Sequence, residues 1–485
     1  MQRDKDGKTS SPAEGEFLFE IDDQPLEETL TAWGGVPLLA RAVRSLGVPA
    51  SVGRHVRIKQ RERGFDEATY VESFLVLNGV GGDCLEDFDL LREDAGLAEM
   101  LGHGIPSAEA ARKFLNQFHD PEKIDEAQRG LPLDRVAYIP GESEPLEGLA
   151  AVNRDVVGEL GRRCPSQKIA TVDLDATIIE SWKREAKPTY AGTTGYQPVL
   201  ALWAEMNAGV ADEFRDGNVP AQQALLPVAK RAFEALPETV TQFYFRGDSA
   251  CEEDGLLTWL RDPKRADGPQ GKIGFAVSAR MCPALHAEIL RVPEAGWQPY
   301  SEDSTAIKEC AEVVDYVPEE SAPNRYREPL RYVAIRIRKK QGELFAGGSA
   351  VKHFAVASNL WEWPAKKLLQ WHREKAGSIE AAHDVIKNEL ACGVMPSKYF
   401  GANAAWLRLA VLTFNVLTAL KRLALPPELL AARPKRLRFL IFTTPGKPVH
   451  HARHTRLRLT RAWNRFGSWR GAFALLPLAV QAPAT

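Results

Sequence analysis

Ile169-Ala-Thr-Val-Asp-Leu-Asp-Ala-Thr177 is the stretch on which the fold turns. Ala170, Val172 and Leu174 alternate with Thr171, Asp173 and Asp175, the period-2 pattern of a strand with one apolar face. Asp173 and Asp175 therefore share a face, about 6–7 Å apart along the strand. Ionised carboxylates at the end of a buried strand are costly to desolvate unless a cation meets them. A second apolar stretch, Thr241-Gln-Phe-Tyr-Phe-Arg-Gly-Asp248, also ends on an acid. Further on, Glu380, His383 and Lys387 stand at i, i+3 and i+7 of a helical segment and project from one face. Alone, that triplet is what a solvated helix face carries. Together with two strand-end aspartates it describes a site for two Mg²⁺ ions about 3.5–4 Å apart, held by carboxylates and bridging a phosphate. Ligands of α/β sheets collect at the carboxyl ends of strands. Asp175 lies nearer its strand's end, so it is the preferred metal ligand and Asp173 the second. Lys387 is placed to meet a phosphate.

Working outward, residues 196–206 and 209–216 read as two more strands around an Asn207-Ala-Gly209 turn. A helix over Ala221–Leu236, a strand over Thr241–Phe245, a helix over 251–261 and a strand over Ile273–Ser278 complete an order β-β-β-α-β-α-β, a mixed sheet with helices packed on it. Residues 283–364 change rhythm. Val313–Val317, Tyr332–Arg338 and His353–Ala357 read as strands of a β-rich insertion. Helical texture returns over 365–390, and a long apolar helix follows over 402–423. Before residue 165 the pattern is helical from Leu30 on, with Gly79-Val-Gly-Gly82 as a stop and Pro106-Ser107-Ala108-Glu109 as a cap. Such short helices permit a helix-turn-helix module or any small bundle. Residues 1–15 are polar and read as disordered. The divisions are 1–165, an N-terminal helical region; 166–282 and 365–425, two parts of one catalytic α/β domain; 283–364, the insertion; and 426–485, a basic helical tail.

At 485 residues the chain exceeds one core, and its composition is that of a folded protein. Its six cysteines are widely spaced without a CxxC pair, which argues against a zinc or redox motif and for reduced thiols in a cytoplasmic protein. The N-terminus has no apolar core of a signal peptide, and the longest apolar stretch, Ala402–Leu420, is broken by Asn403, Arg408 and Asn415, so no membrane is expected. Net charge is −2, but residues 421–470 hold thirteen Lys/Arg against one acid, Glu428. That asymmetry suits a phosphate backbone, or a solvated face.

Four stretches carry a resemblance: Thr171–Ile178, Gly195-Tyr-Gln-Pro-Val199, Phe245-Arg-Gly-Asp-Ser-Ala250, and Arg373-Glu-Lys-Ala-Gly-Ser-Ile-Glu380 with His383–Leu390. Gly401-Ala-Asn-Ala-Ala-Trp406 fits beside them. Over roughly residues 60–470 the chain resembles DDE transposases of bacterial insertion sequences, in the insertion-sequence-4 superfamily and most similar to its 1380 group. The resemblance implies a ribonuclease-H-like catalytic domain interrupted by a β-rich insertion, with Asp175, Asp248 and Glu380 as the catalytic, metal-binding triad. The superfamily's signature around the glutamate is Tyr, two residues, Arg, three residues, Glu, six residues, Lys. Glu380 and Lys387 match; the Tyr and Arg positions fall on Arg373 and Ala376, and Arg373 or Lys375 would supply the missing cation. Implied partners are double-stranded DNA, as terminal inverted repeats and target, and a second copy of the chain. Mg²⁺ is the implied cofactor, with Mn²⁺ substituting. Trp297 would stack on an extruded base, or pack in its own module; Trp361 and Trp363 are read as packing residues. Arg456 and Arg461 represent the basic tail's DNA surface. Ser249 has no histidine near it in sequence and is not read as a nucleophile. The competing functions are a ribonuclease-H-like nuclease that does not join strands and a non-catalytic DNA-binding protein.

Overall fold

The computed structural model describes residues 24, 27–59, 64–132, 134–314, 316–318, 329–339, 351–451, 454–460 and 466–478. Its strands, in chain order, are β1 (Ile169–Ala176), β2 (Ile179–Glu180), β3 (Lys187–Pro188), β4 (Thr194–Tyr196), β5 (Val199–Trp203), β6 (Ala208–Glu213), β7 (Gln242–Gly247), β8 (Ile273–Ser278), β9 (Gln298–Glu302), β10 (Ala306–Val313), β11 (Arg331–Lys339), β12 (Val351–Ser358), β13 (Gly446–His451) and β14 (His454–Leu459). Nine of them form one sheet in the order β6-β5-β1-β7-β8-β12-β11-β10-β9. β1, β7 and β8 are parallel; β5 pairs antiparallel with β1, and β6 antiparallel with β5, so that β5 alone of these five runs the opposite way. This is a ribonuclease-H-like mixed sheet. The turn expected at Asn207 joins β5 to β6, with Asn207 in the left-handed region at φ 51°. Parallel neighbours need crossovers. The helix Leu225–Glu234 spans β6 to β7, and Asp254–Arg261 spans β7 to β8.

The strands of residues 283–364 continue this same sheet, because β12 pairs antiparallel with β8 and carries β11, β10 and β9 outward. The strand expected at Val313–Val317 instead ends at Val313 and begins at Ala306. Its face alternates poorly, with Ile307, Lys308 and Glu309 all half-buried beside a register shift, so the period-2 signal is weak. A helix over Pro283–Arg291 also lies in this segment, started by Pro283 and by the Cys282 sulfur, which accepts from the Leu285 amide at 3.4 Å. The basic tail departs from a purely helical reading. β13 and β14 pair antiparallel, and a helix lies at Phe466–Ala474. Arg456-Leu-Arg-Leu459 alternates polar with apolar, which is a strand pattern.

Of the eight helices between Val36 and Arg163, among the described residues, Val36–Ser45, Glu67–Val80, Ala108–Asn116 and Glu144–Arg163 pack on the helix Phe400–Leu423. That helix is long and apolar enough to cross a membrane, yet it is wholly buried within the protein. Its polar side chains are paired inside. Arg408 Nη2 lies 2.9 Å from Asp212 on β6, and Nη1 lies 2.8 Å from Glu142. Asn415 donates to the Asn153 side chain and to the Gly209 carbonyl, both at 2.7 Å. The helix Glu67–Val80 starts where the Asp66 carboxylate accepts from the Thr69 amide at 2.7 Å, and stops at Gly81, whose φ of 100° favours glycine. Ser107 caps its helix as expected, accepting from the Ala110 amide at 3.2 Å.

Candidate active site

The register Asp173↔Arg246, Leu174↔Gly247 puts Asp175 and Asp248 next in line on two neighbouring parallel strands, at the carboxyl end of both. Adjacent strands lie about 4.8 Å apart. Asp248 leaves the sheet as the cap of the short Ser249–Cys251 turn, one carboxylate oxygen accepting from the Ala250 amide at 3.0 Å. The helix Lys375–Glu389 lies across β1 and β5. Ile379, Ala382, Val385 and Ile386 form its buried face, and Glu380 sits at the margin, exposed.

Asp175 is where the three acids meet electrostatically. Burial, together with the negative charges of Asp248 and Glu380, pushes its carboxyl up to about 6 against the opposing pull of Lys375. Lys375 is buried and its Nζ stands 3.3 Å from the Asp175 carboxylate. Burial, with the charges of Lys375 and Lys387 nearby, holds the His383 imidazole down at about 4, so it is neutral at neutral pH. An oxygen-only donor set, strained by mutual repulsion in a partly dry pocket, has the chemistry a hard divalent cation relieves. Among the described residues, the only three Asp, Glu, His or Cys ligand atoms within 4.8 Å of one another are those of Asp83, Cys84 and Asp87, where Asp87 accepts from the amides of the other two. The three site carboxylates are thus a more open set than a collapsed cage.

Asp173 is held differently from the ligand role expected of it. Its two oxygens accept from Arg246 Nε at 2.6 Å and Nη2 at 2.9 Å, and the Ser378 hydroxyl donates to the same carboxylate. Arg246 Nη1 in turn donates to the Trp371 carbonyl at 2.6 Å, with the guanidinium 5.2 Å from the centre of the Trp371 ring. Asp173 thus joins β1, β7 and the two helices carrying Trp371 and Ser378. Sequence reading missed Arg246 and Ser378. Arg246 is two residues before Asp248 and so on its face of the strand, which was the available signal.

Lys387 donates from Nζ to the Ile178 carbonyl at 2.6 Å, tying its helix to the loop after β1. Arg373 is exposed at the end of the preceding helix. Trp297 is 9% exposed, with the Arg336 guanidinium 4.3 Å above its ring and His353 beside it, so a base reaches it only by displacing those side chains. Trp363 packs on Tyr244 and Trp371, as expected of a packing residue, while Trp361 is half exposed. Arg456 is exposed on β14; Arg461 lies outside the described residues.

Comparison with known proteins adds three findings. No curated protein matches the chain. A solved structure of the piggyBac transposase synaptic complex with hairpin DNA is similar over 93% of this chain and 86% of that chain, at a TM-score of 0.46 and 11% identity. The family described as transposase DDE domain group 1 matches residues 27–478, nearly the whole length, and the chain belongs to that family.

Proposed function

We propose that this chain is a divalent-metal-dependent DNA transposase of an insertion sequence, in the insertion-sequence-4 superfamily and its 1380 group, acting by cut and paste. The observation that carries the reading is the emergence of Asp175 and Asp248 side by side from parallel strands, with Asp175 so placed that its charge is costly without a cation. Asp175, Asp248 and Glu380 hold the metal, two Mg²⁺ ions with Mn²⁺ as a substitute. Such ions supply a water or 3′-hydroxyl nucleophile at neutral pH and stabilisation of the leaving oxygen. The chain's own residues set the stage. Lys375, 3.3 Å from Asp175, offsets part of its charge. Asp173, gripped by Arg246 and Ser378, fixes the strands and the Glu380 helix in register, a positioning role. Lys387 uses one of three ammonium donors on Ile178, leaving two for a phosphate near the scissile bond. Arg373 supplies a second cation. The partners are inverted-repeat DNA, target DNA and a second subunit.

The test is a cleavage and strand-transfer assay on DNA carrying the element's ends. Asp175→Ala, Asp248→Ala and Glu380→Ala should each abolish both products while retaining DNA binding. Lys387→Ala should slow cleavage roughly 10-fold or more, as loss of a charge-assisted phosphate contact predicts. Cleavage without joining would make the protein a nuclease, and full activity of Asp175→Ala would remove the site assignment.

A further inference from the structure

Residues 177–198 form a small lobe between β1 and β5, of which Ala176↔Val199 is the last register pair. The lobe therefore stands at the end of the sheet where Asp175 and Asp248 emerge. It is tightly built. β2 and β3 both pair with β4; Ser181 and Thr194 exchange two hydrogen bonds, of 3.0 and 2.8 Å; and the Thr189 amide donates to the Thr193 carbonyl at 2.7 Å. A Cβ at Gly195 would meet the Ile179 carbonyl oxygen at 2.2 Å, so the strands approach more closely than a side chain allows. Lys387 ties the root of the lobe, at Ile178, to the helix of Glu380.

In the turn between β2 and β3, Trp182 is 93% exposed, the most exposed large apolar side chain among the described residues. Tyr190 is 80% exposed. Arg184 and Lys187 are exposed nearby in sequence, with Lys183 half-buried. Seven residues from Asp175, Trp182 lies within about 25 Å of it even on a fully extended chain.

We propose that Trp182 stacks on an unpaired base of the DNA being processed, with Arg184 and Lys187 on the adjoining phosphates. This rests on the transposase reading above. An open indole held next to paired strands offers a flat face worth about one base stack, tolerant of sequence. Bases within a duplex have both faces covered, so the occupant is an unstacked nucleotide. A protein partner suits the lobe poorly: apart from Trp182 and Tyr190 its exposed side chains are mostly charged, polar or small, far short of the roughly 800 Å² per partner that a stable interface buries.

The experiment compares two probes on the full chain: a 20-base-pair duplex of arbitrary sequence, blunt, and the same duplex with a four-nucleotide single-stranded tail carrying 2-aminopurine at its first unpaired position. Wild type should prefer the tailed probe and quench its fluorescence. Trp182→Ala should lose that preference, binding the tail about 5- to 100-fold more weakly, and lose the quenching, while blunt-duplex binding is unchanged. Trp182→Phe should restore most of both. Equal tail binding and quenching in wild type and Trp182→Ala would overturn the role. A Trp182→Ala variant whose free protein changes oligomeric state by light scattering would mark the lobe as a subunit contact instead, also overturning it. A wild type that binds neither probe would sink the DNA reading itself, and this proposal with it.

Discussion

Asp175 is under opposed demands, and its burial decides what happens in metal-free protein. Its carboxyl is raised from the ordinary 3.8 to about 6. The folded state then holds a proton more tightly than the unfolded chain, so its contribution is favourable below about pH 4 and is lost as pH rises towards 6. Above that window the ionised group costs about 1–3 kcal/mol. In the presence of a chelator, Asp175→Asn should raise the unfolding free energy at pH 7 by that amount, and should flatten the fall in stability between pH 4 and 6. Urea titrations at several pH values measure both, and a less stable variant at pH 7 would show that Lys375 already compensates the charge. The aspartates were legible in sequence because strand ends announce themselves through alternation and a following turn. The separate fates of Asp173 and Asp175 were not. They depend on which residue of β7 lies opposite, and the pairing Asp173↔Arg246 is a fact of cross-strand register that no local pattern encodes.

At the scale of elements, the apolar helix Phe400–Leu423 was legible, but the meaning of its polar residues was not. Asn403, Arg408 and Asn415 interrupt an apolar run; in the fold Arg408 and Asn415 clamp the helix Glu144–Arg163 and the Glu142 before it to β6, while Asn403 holds the backbone of Ser397. Arg408 is the strongest case. It is 2% exposed, it faces Asp212 at 4%, and both acids around it push its guanidinium further towards the charged form. Removing one member of such a cluster leaves a buried charge unpaired, which costs about 3–5 kcal/mol. Arg408→Ala should therefore lower the unfolding free energy by that much. Arg408→Met combined with Asp212→Asn should lose less than Arg408→Ala, since fewer uncompensated charges then remain inside. Denaturant unfolding of the two variants checks the order. A single variant within 1 kcal/mol of wild type would mean that water reaches Asp212. The β13–β14 pair teaches the converse: its alternation was present in the sequence, and the density of arginines drew attention to charge at the expense of period.

Across the whole molecule, what sequence could not supply is closure. One sheet runs continuously from β6 to β9, although 283–364 reads as a separate rhythm, because pairing of β12 with β8 links segments some eighty residues apart. Segments far apart in sequence also meet. Thr31 bridges Gly446, Lys447 Nζ lies 2.6 Å from Glu28, and His450 lies 3.1 Å from Glu99. The basic strand pair is therefore docked on the N-terminal helices, and its outer strand shows Arg456 and Arg458, two residues apart and so on one face, both exposed. If that face lies on a DNA backbone, each arginine displaces about one condensed counterion, and the log–log dependence of affinity on salt changes by about 0.9 per phosphate. Arg456→Gln with Arg458→Gln should then make the slope shallower by about 1.8, on the same arithmetic. The loss of affinity should be alike for element ends and for random duplex, since phosphates carry no sequence information. Trp182→Ala should leave this slope unchanged, as a stack releases no counterion. A slope that does not move in the double arginine variant would assign the strand pair to packing alone and direct the search for backbone contacts to the cations beside the catalytic end of the sheet, Arg373 and Lys387 first.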